Sequence, residues 1–449
     1  MRGTWCAALS GQFVAMNVSR LAFKLSRGVL NTITPPIPTA YQWASLYSPT
    51  AARPLLDMSQ GVPGTPPPEV LRTALGMAAS SPTSFGYCPA EGEPLLRKAL
   101  ADEMKVIYGS DADVTAEDIA LTAGCNMAFF ATIMSLADAG DEVILPVPWY
   151  FNHQMDLTLL GIKPVPLQTL PEDGFSPSVE RCRSLITPRT KAISLVTPNN
   201  PTGATYSPAL LASFLNLAAE HNVALIVDET YRDFVLDGVP HRLFSGPWRN
   251  NFIHLFSFSK SYCLPGHRLG AIVASPLLIK QIRTVLDCLQ ICPPRPIQIA
   301  LTQLLPTLRP FVRETAMAIR ARHELFRRVL PKRWTVGAQG GYFAFVKHPF
   351  VGVSSLEVSK RLATELGVVS LPSAFFCEEE DVGEAGWDKA RWIRFSVANV
   401  DDEKVKKILS VRDQYDPVNS TLIAWQLDYF RHARSFTGMT TAFSRLLLA

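Results

Sequence analysis

The stretch Ser257-Phe258-Ser259-Lys260 sets one amine among small hydroxyl side chains, and Arg268 follows between Gly266 and Gly270. A lysine partly withdrawn from water loses its proton more readily and can then condense with a carbonyl to form a Schiff base. An arginine so close in sequence can hold an anion beside it through charge-assisted hydrogen bonds. A solvated loop lysine among turn-forming glycines would present the same residues, so the choice falls to the rest of the chain.

The stretch is bounded by the apolar runs 252–256 and 271–274, and is expected to be a loop between two buried strands. Further short apolar strands are expected at 119–122, 142–145, 192–196 and 224–228, interleaved with helices over 92–108, 127–137 and 208–221. That alternation predicts a mostly parallel sheet covered on both faces, with ligands gathering beyond the carboxyl ends of its strands. Asn126, Tyr150, Asn200 and Lys260 each follow such a strand, Asp228 stands at the end of one, and all five are expected at one rim. Gly124-Cys125-Asn126 joins a strand end to a helix start, where free amides make an anion cradle.

Residues 31–54, rich in Pro, Ser, Thr and Ala, are expected to form an extended arm leading to a turn at Gly61–Gly64, where backbone can approach a ligand. A helix is expected over 67–80, and beyond residue 300 come a long helix over 311–329 and strands at 340–346 and 392–397. This change of pattern predicts a second, smaller α+β domain. Tyr87 is either a buried aromatic or a phenol offered to a neighbour, and Trp149 is expected in the core.

Of the 449 residues 47% are hydrophobic and 18% charged, which suits a globular protein and excludes a disordered one. Residues 1–56 carry Arg2, Arg20, Lys24, Arg27 and Arg53 and no acid, which leaves 38 basic against 39 acidic residues in the remainder. A body so near neutrality has no broad basic face for nucleic acid. The eight cysteines are scattered without a Cys-x-x-Cys pair, and no apolar run approaches the roughly 20 residues of a membrane span. A reduced intracellular chain is expected, cytoplasmic or, with the basic start read as a presequence, mitochondrial.

Asn200-Pro201-Thr202-Gly203, Asp228-x-x-Tyr231, Ser257-x-Ser259-Lys260, Arg268 and Arg394 stand in an order and at separations that resemble the class I/II aminotransferases, pyridoxal-phosphate enzymes of fold type I. The resemblance implies an α/β fold with a large cofactor domain (61–298), a smaller α+β domain (299–417) joined by an arm (31–60), an N-terminal extension (1–30) and an appended tail (418–449). In that tail Ile423, Leu427 and Phe430 have helical spacing. It also implies transfer of an amino group from an L-amino acid to a 2-oxo acid by way of the pyridoxamine form, in a homodimer with shared sites. Lys260 would hold pyridoxal 5'-phosphate and move the Cα proton, Asp228 would pair with the pyridinium nitrogen, and Asn200 and Tyr231 would bond the phenolic oxygen. Tyr150 would cover the ring. The phosphate would lie among Gly124, Cys125, Asn126, Ser257, Ser259 and Arg268, with Tyr87 reaching it from the other subunit. Arg394 would clamp the substrate carboxylate near Gly61, or else serve as a structural ion-pair partner, and Asp287 is a candidate to face the substrate side chain. Cys125-Asn126 and the spacer Tyr262–Pro265 depart from many members and leave the substrate open. Another reaction on the same cofactor (lyase, cyclase or synthase) and a ligand-sensing regulator are the alternative readings.

Overall fold

Alternate residues of the apolar runs divide between two faces, and this builds the centre of the molecule. In strand β6 (Ala224–Asp228) Leu225 and Val227 pack on one side and Ile226 on the other; in β7 (Phe252–Ser257) Phe252 and Phe256 oppose Ile253 and Leu255. Each such side chain contributes about 2 kcal/mol on leaving water. Strands buried on both faces require helices above and below.

The computed structural model describes residues 22–51, 53–377 and 391–399. The expected tail over 418–449, the face formed by Ile423, Leu427 and Phe430, and most of the expected N-terminal extension lie outside these residues. With β1 (Leu56–Asp57), β2 (Ile119–Thr122), β3 (Glu142–Val147), β4 (Lys163–Gln168), β5 (Thr190–Val196) and β8 (Gly270–Val273), the large sheet has the order β2-β8-β7-β6-β5-β3-β4, β1 lying elsewhere. All neighbours are parallel except that β8 runs antiparallel to both β2 and β7. The expected α/β class is therefore observed. The helix expected over 208–221 is observed with those bounds. Ser207 accepts the Leu210 N–H and Pro208 opens the helix Pro208–His221, which closes on Asn222 in the left-handed conformation.

A second sheet, β12 (Leu371–Pro372), β13 (Trp392–Ser396), β10 (Phe343–Lys347) and β9 (Thr335–Gly340), is antiparallel throughout. The single run expected at 340–346 is instead a hairpin corner: Gly340 ends β9, Gly341 turns at φ 52°, and β10 begins at Phe343. Here β1 joins the smaller unit by pairing in parallel with β11 (Val368–Val369). The arm is not extended, because Pro36 opens a helix Pro36–Ala44 whose Ala40 and Ala44 pack against Ala363, Val369 and Leu371. A helix Arg295–Leu304 runs through residue 298 and packs on Glu69–Ser80, and Arg309–Val329 then crosses toward the second sheet. Among the described residues no helix is long and apolar enough to cross a membrane, and the described cysteines are free thiols.

Candidate active site

Strand directions bring the chemistry to one rim. Strands β2, β3, β5, β6 and β7 all end there, and because β8 is reversed its first residue, with Arg268 just before it, lies there too. Gly270 registers with Thr122 on one side and Ser257 on the other. The rim opens into a cavity of about 260 Å³ lined by Cys125, Asn126, Tyr150, Asn200, Asp228, Tyr231, Ser257, Ser259, Lys260 and Arg268, together with Gln60, Val62 and Thr230.

Lys260 lies not in an irregular loop but in a single helical turn, Phe258–Ser261, capped by the Ser257 hydroxyl on the Ser259 N–H. Its carbonyl receives the Tyr342 hydroxyl at 3.1 Å and its amine donates to the Gly61 carbonyl. Burial, with the Arg268 and Arg394 cations adding to it, brings the amine down from the usual lysine value to about 8. Its charge is thus easily removed.

Asp228 is the last residue of β6, and its Oδ1 accepts the Thr230 N–H at 2.9 Å and the Thr230 hydroxyl at 2.7 Å. His153 Nε2 stands 3.4 Å from Oδ2, its ring stacked on Phe129 at 3.7 Å. Burial alone would raise this carboxyl, but His153 and the two Thr230 bonds outweigh it and hold Asp228 below the ordinary carboxylate range. It is an anion at the floor of the cavity.

At the other end Gly124 has φ 89° and caps the helix Cys125–Leu136, whose first amides receive no side-chain cap. A Cβ at Gly124 would collide with the Arg268 guanidinium, which donates to Pro265 O at 3.1 Å and lies near Ala123 O. Ser259 is buried and its hydroxyl has no partner among the described residues. Tyr150 donates to Asn126 Oδ1 at 3.3 Å.

Arg394 enters from β13. Its Nη1 donates to Asn200 Oδ1 at 2.7 Å and its Nη2 to the Ser59 carbonyl, while the Phe343 and Phe376 rings flank the guanidinium. Burial lowers its pKa to about 10, and its Nε is unpartnered among the described residues. The Asn-Pro-Thr-Gly turn aims Asn200: Asn199 Oδ1 accepts from both the N–H and the hydroxyl of Thr202, and a Cβ at Gly203 would strike the Phe343 carbonyl. Gly61 is equally confined, since a Cβ there would lie 2.6 Å from the Phe343 ring.

Of the residues expected in the site, Tyr87 is 77% exposed and does not line this chain's cavity. Asp287 is exposed on the helix Pro276–Gln290 and lies outside the cavity lining as well. Gly61 and Arg394 border the cavity through Lys260 and Asn200. Trp149 is core, as expected. His153 and Thr230 were missed. Thr230 was available to sequence reasoning as a hydroxyl two residues past a strand-end aspartate, whereas a lone His on a helix carries no such signal.

These groups fit pyridoxal phosphate on the observations given: a desolvated amine and a buried anion share one cavity, whose far end offers helix amides, an unpartnered Ser259 hydroxyl and the Arg268 cation. The sequence profile described as "Aminotransferase class I and II" matches residues 53–411. Aromatic-amino-acid aminotransferase 2 of Thermococcus litoralis is 29% identical over 360 residues, which are 76% of this chain and 90% of that protein. The aspartate/prephenate aminotransferase of Thermus thermophilus is 31% identical over 330 residues, 72% and 84% respectively. A single-mutant structure of Thermus thermophilus aspartate aminotransferase superposes with a TM-score of 0.78 at 27% identity, covering 87% of this chain and 99% of that one. With the amine, the buried anion and the anion cradle at one rim of such a sheet, the chain belongs to the class I and II aminotransferase family and is a pyridoxal-phosphate-dependent aminotransferase of fold type I.

Proposed function

We propose that Lys260 is the amine that holds the cofactor and afterwards carries the proton leaving the substrate Cα; a pKa of about 8 lets it release and accept protons near neutrality. Bound pyridoxal phosphate supplies a ring that draws off the electron pair left at Cα. Asp228, kept ionised by His153 and Thr230, holds a proton on the pyridinium nitrogen. Asn200 and Tyr231 bond the phenolic oxygen, and Tyr150 covers one ring face, its hydroxyl tied to Asn126. Gly124, Cys125, Asn126, Ser257, Ser259 and Arg268 receive the phosphate, the first three through backbone.

Arg394 binds the substrate carboxylate bidentately, helped by the backbone near Gly61. Amino acid and 2-oxo acid then occupy one place in turn. Exposed Tyr87 supports a homodimer in which it reaches the second subunit's phosphate. Because a helix spans residue 298, we set the division of the two units in the turn Leu305–Leu308, and the β1–β11 pairing supports counting residues 31–60 with the smaller one.

The observation that carries this reading is that one cavity is lined by both Lys260 and Asp228, with Arg268 beside them. Replacing Lys260 with Ala is expected to remove the visible absorbance of bound cofactor and turnover together; full activity in that variant overturns it. Wild-type spectra are expected to change with an amino acid and to return with a 2-oxo acid.

A further inference from the structure

Behind the lysine turn lies a buried ionic cluster with no part in the chemistry above. The Ser261 hydroxyl, fully buried, donates to Asp233 Oδ2 at 2.6 Å, and Asp233 Oδ1 receives Arg309 Nη1 at 2.7 Å. Arg309 is also 3.1 Å from Glu103, and Arg232 Nε is 4.0 Å from Asp233. The anion is therefore compensated and fixed in place, and the only neutral donor among these partners is the residue that follows Lys260.

Successive side chains on a helical turn diverge by roughly 100°. Pinning Ser261 to the interior on the Asp233 carboxylate therefore sets the direction in which Lys260 leaves the backbone. The turn has four residues and little hydrogen bonding of its own, so an outside anchor has weight. We propose that Asp233 is a positioning residue for Lys260, acting through the Ser261 hydroxyl to hold the amine in the cavity beside Arg268. Without that anchor the flexible lysine stem reaches better-hydrated places and the amine holds its proton more firmly.

The inference rests on reading Lys260 as the cofactor-holding amine, but its test does not depend on transamination. In the full chain freed of cofactor, acylation of Lys260 by acetic anhydride is followed against pH by peptide mass spectrometry, and pyridoxal phosphate is titrated in parallel. Ser261→Ala is expected to raise the midpoint of Lys260 acylation, lower its rate at pH 7 about 3- to 10-fold, and weaken cofactor binding about 10-fold. Ser261→Thr keeps the hydroxyl and is expected to stay within about 2-fold of wild type. Asp233→Ala is expected to shift the midpoint upward as well, although removing a nearby negative charge would by itself shift it downward. A folded Ser261→Ala protein with wild-type acylation and cofactor affinity overturns the proposal, as does a downward shift in Asp233→Ala. Should Asp233→Ala not fold, Ser261→Ala and Ser261→Thr decide. If Lys260→Ala still retains cofactor covalently, the underlying reading fails instead, and that result is separate.

Discussion

Arg394 Nη1 donates to Asn200 Oδ1 at 2.7 Å although the two residues are 194 positions apart, Asn200 in the turn after β5 of the large sheet and Arg394 on β13 of the second sheet. Asn200 therefore orients the cation proposed for the substrate as well as facing the cofactor cavity. Replacing Arg394 with Ala is expected to raise KM for amino acids roughly 10- to 100-fold, the worth of one or two charged hydrogen bonds, with cofactor retained. Steady-state kinetics and the bound-cofactor spectrum check both halves.

His153 is predicted to set the acid limit of the enzyme. The folded Asp228 carboxyl lies below its ordinary value, so its ionised form contributes stability above the unfolded pKa and that contribution is lost as pH falls through the folded one. In His153→Phe the hydrogen bond is gone and the folded pKa rises. Cofactor affinity should then fall about 10-fold more at pH 5 than at pH 8, as measured by equilibrium dialysis.

Lys260 has the opposite pH signature. With its folded pKa near 8 against an ordinary 10.5, the unfolded chain binds more protons between those values. The penalty of burying the ammonium is present below about pH 8 and disappears as pH rises toward 10.5. Urea midpoints of the cofactor-free protein, compared with Lys260→Met, should therefore move in favour of wild type across that window. Equal pH dependence for the two proteins would contradict this.

Gly124→Ala combines a backbone and a side-chain effect. At φ 89° and ψ 166°, a region essentially reserved for glycine, an alanine carries roughly 1–3 kcal/mol of strain, and its methyl displaces the Arg268 guanidinium. Because Arg268 is the flexible partner, the fold should survive with a modest loss in thermal midpoint. Affinity for inorganic phosphate as well as for the cofactor should fall at least about 10-fold, as measured by calorimetry.

Where the chain repeats short apolar runs, as at Ala192–Val196 and Phe252–Phe256, the large sheet was legible, and with it the rim where Asp228 and Lys260 lie. Strand β4 was not: Pro164 and Pro166 interrupt it, and prolines are tolerated there because β4 is an edge strand. The arm's helix was hidden by a composition that favours turns, since its stability comes from Ala40 and Ala44 packing on residues far along the chain. His153 and the Ser261–Asp233 bond were invisible for a related reason: both depend on distances that only the assembled sheet defines.

The reversed strand has a consequence for biosynthesis. Among the described residues the ladder partner of β2 is β8, so a ribosome that has already released Ile119–Thr122 holds that segment unmatched until Gly270–Val273 emerges. The Gly124–Asn126 turn attached to β2 cannot meet Arg268 earlier, and a nascent chain halted before this point exposes an apolar strand to solvent and to chaperones.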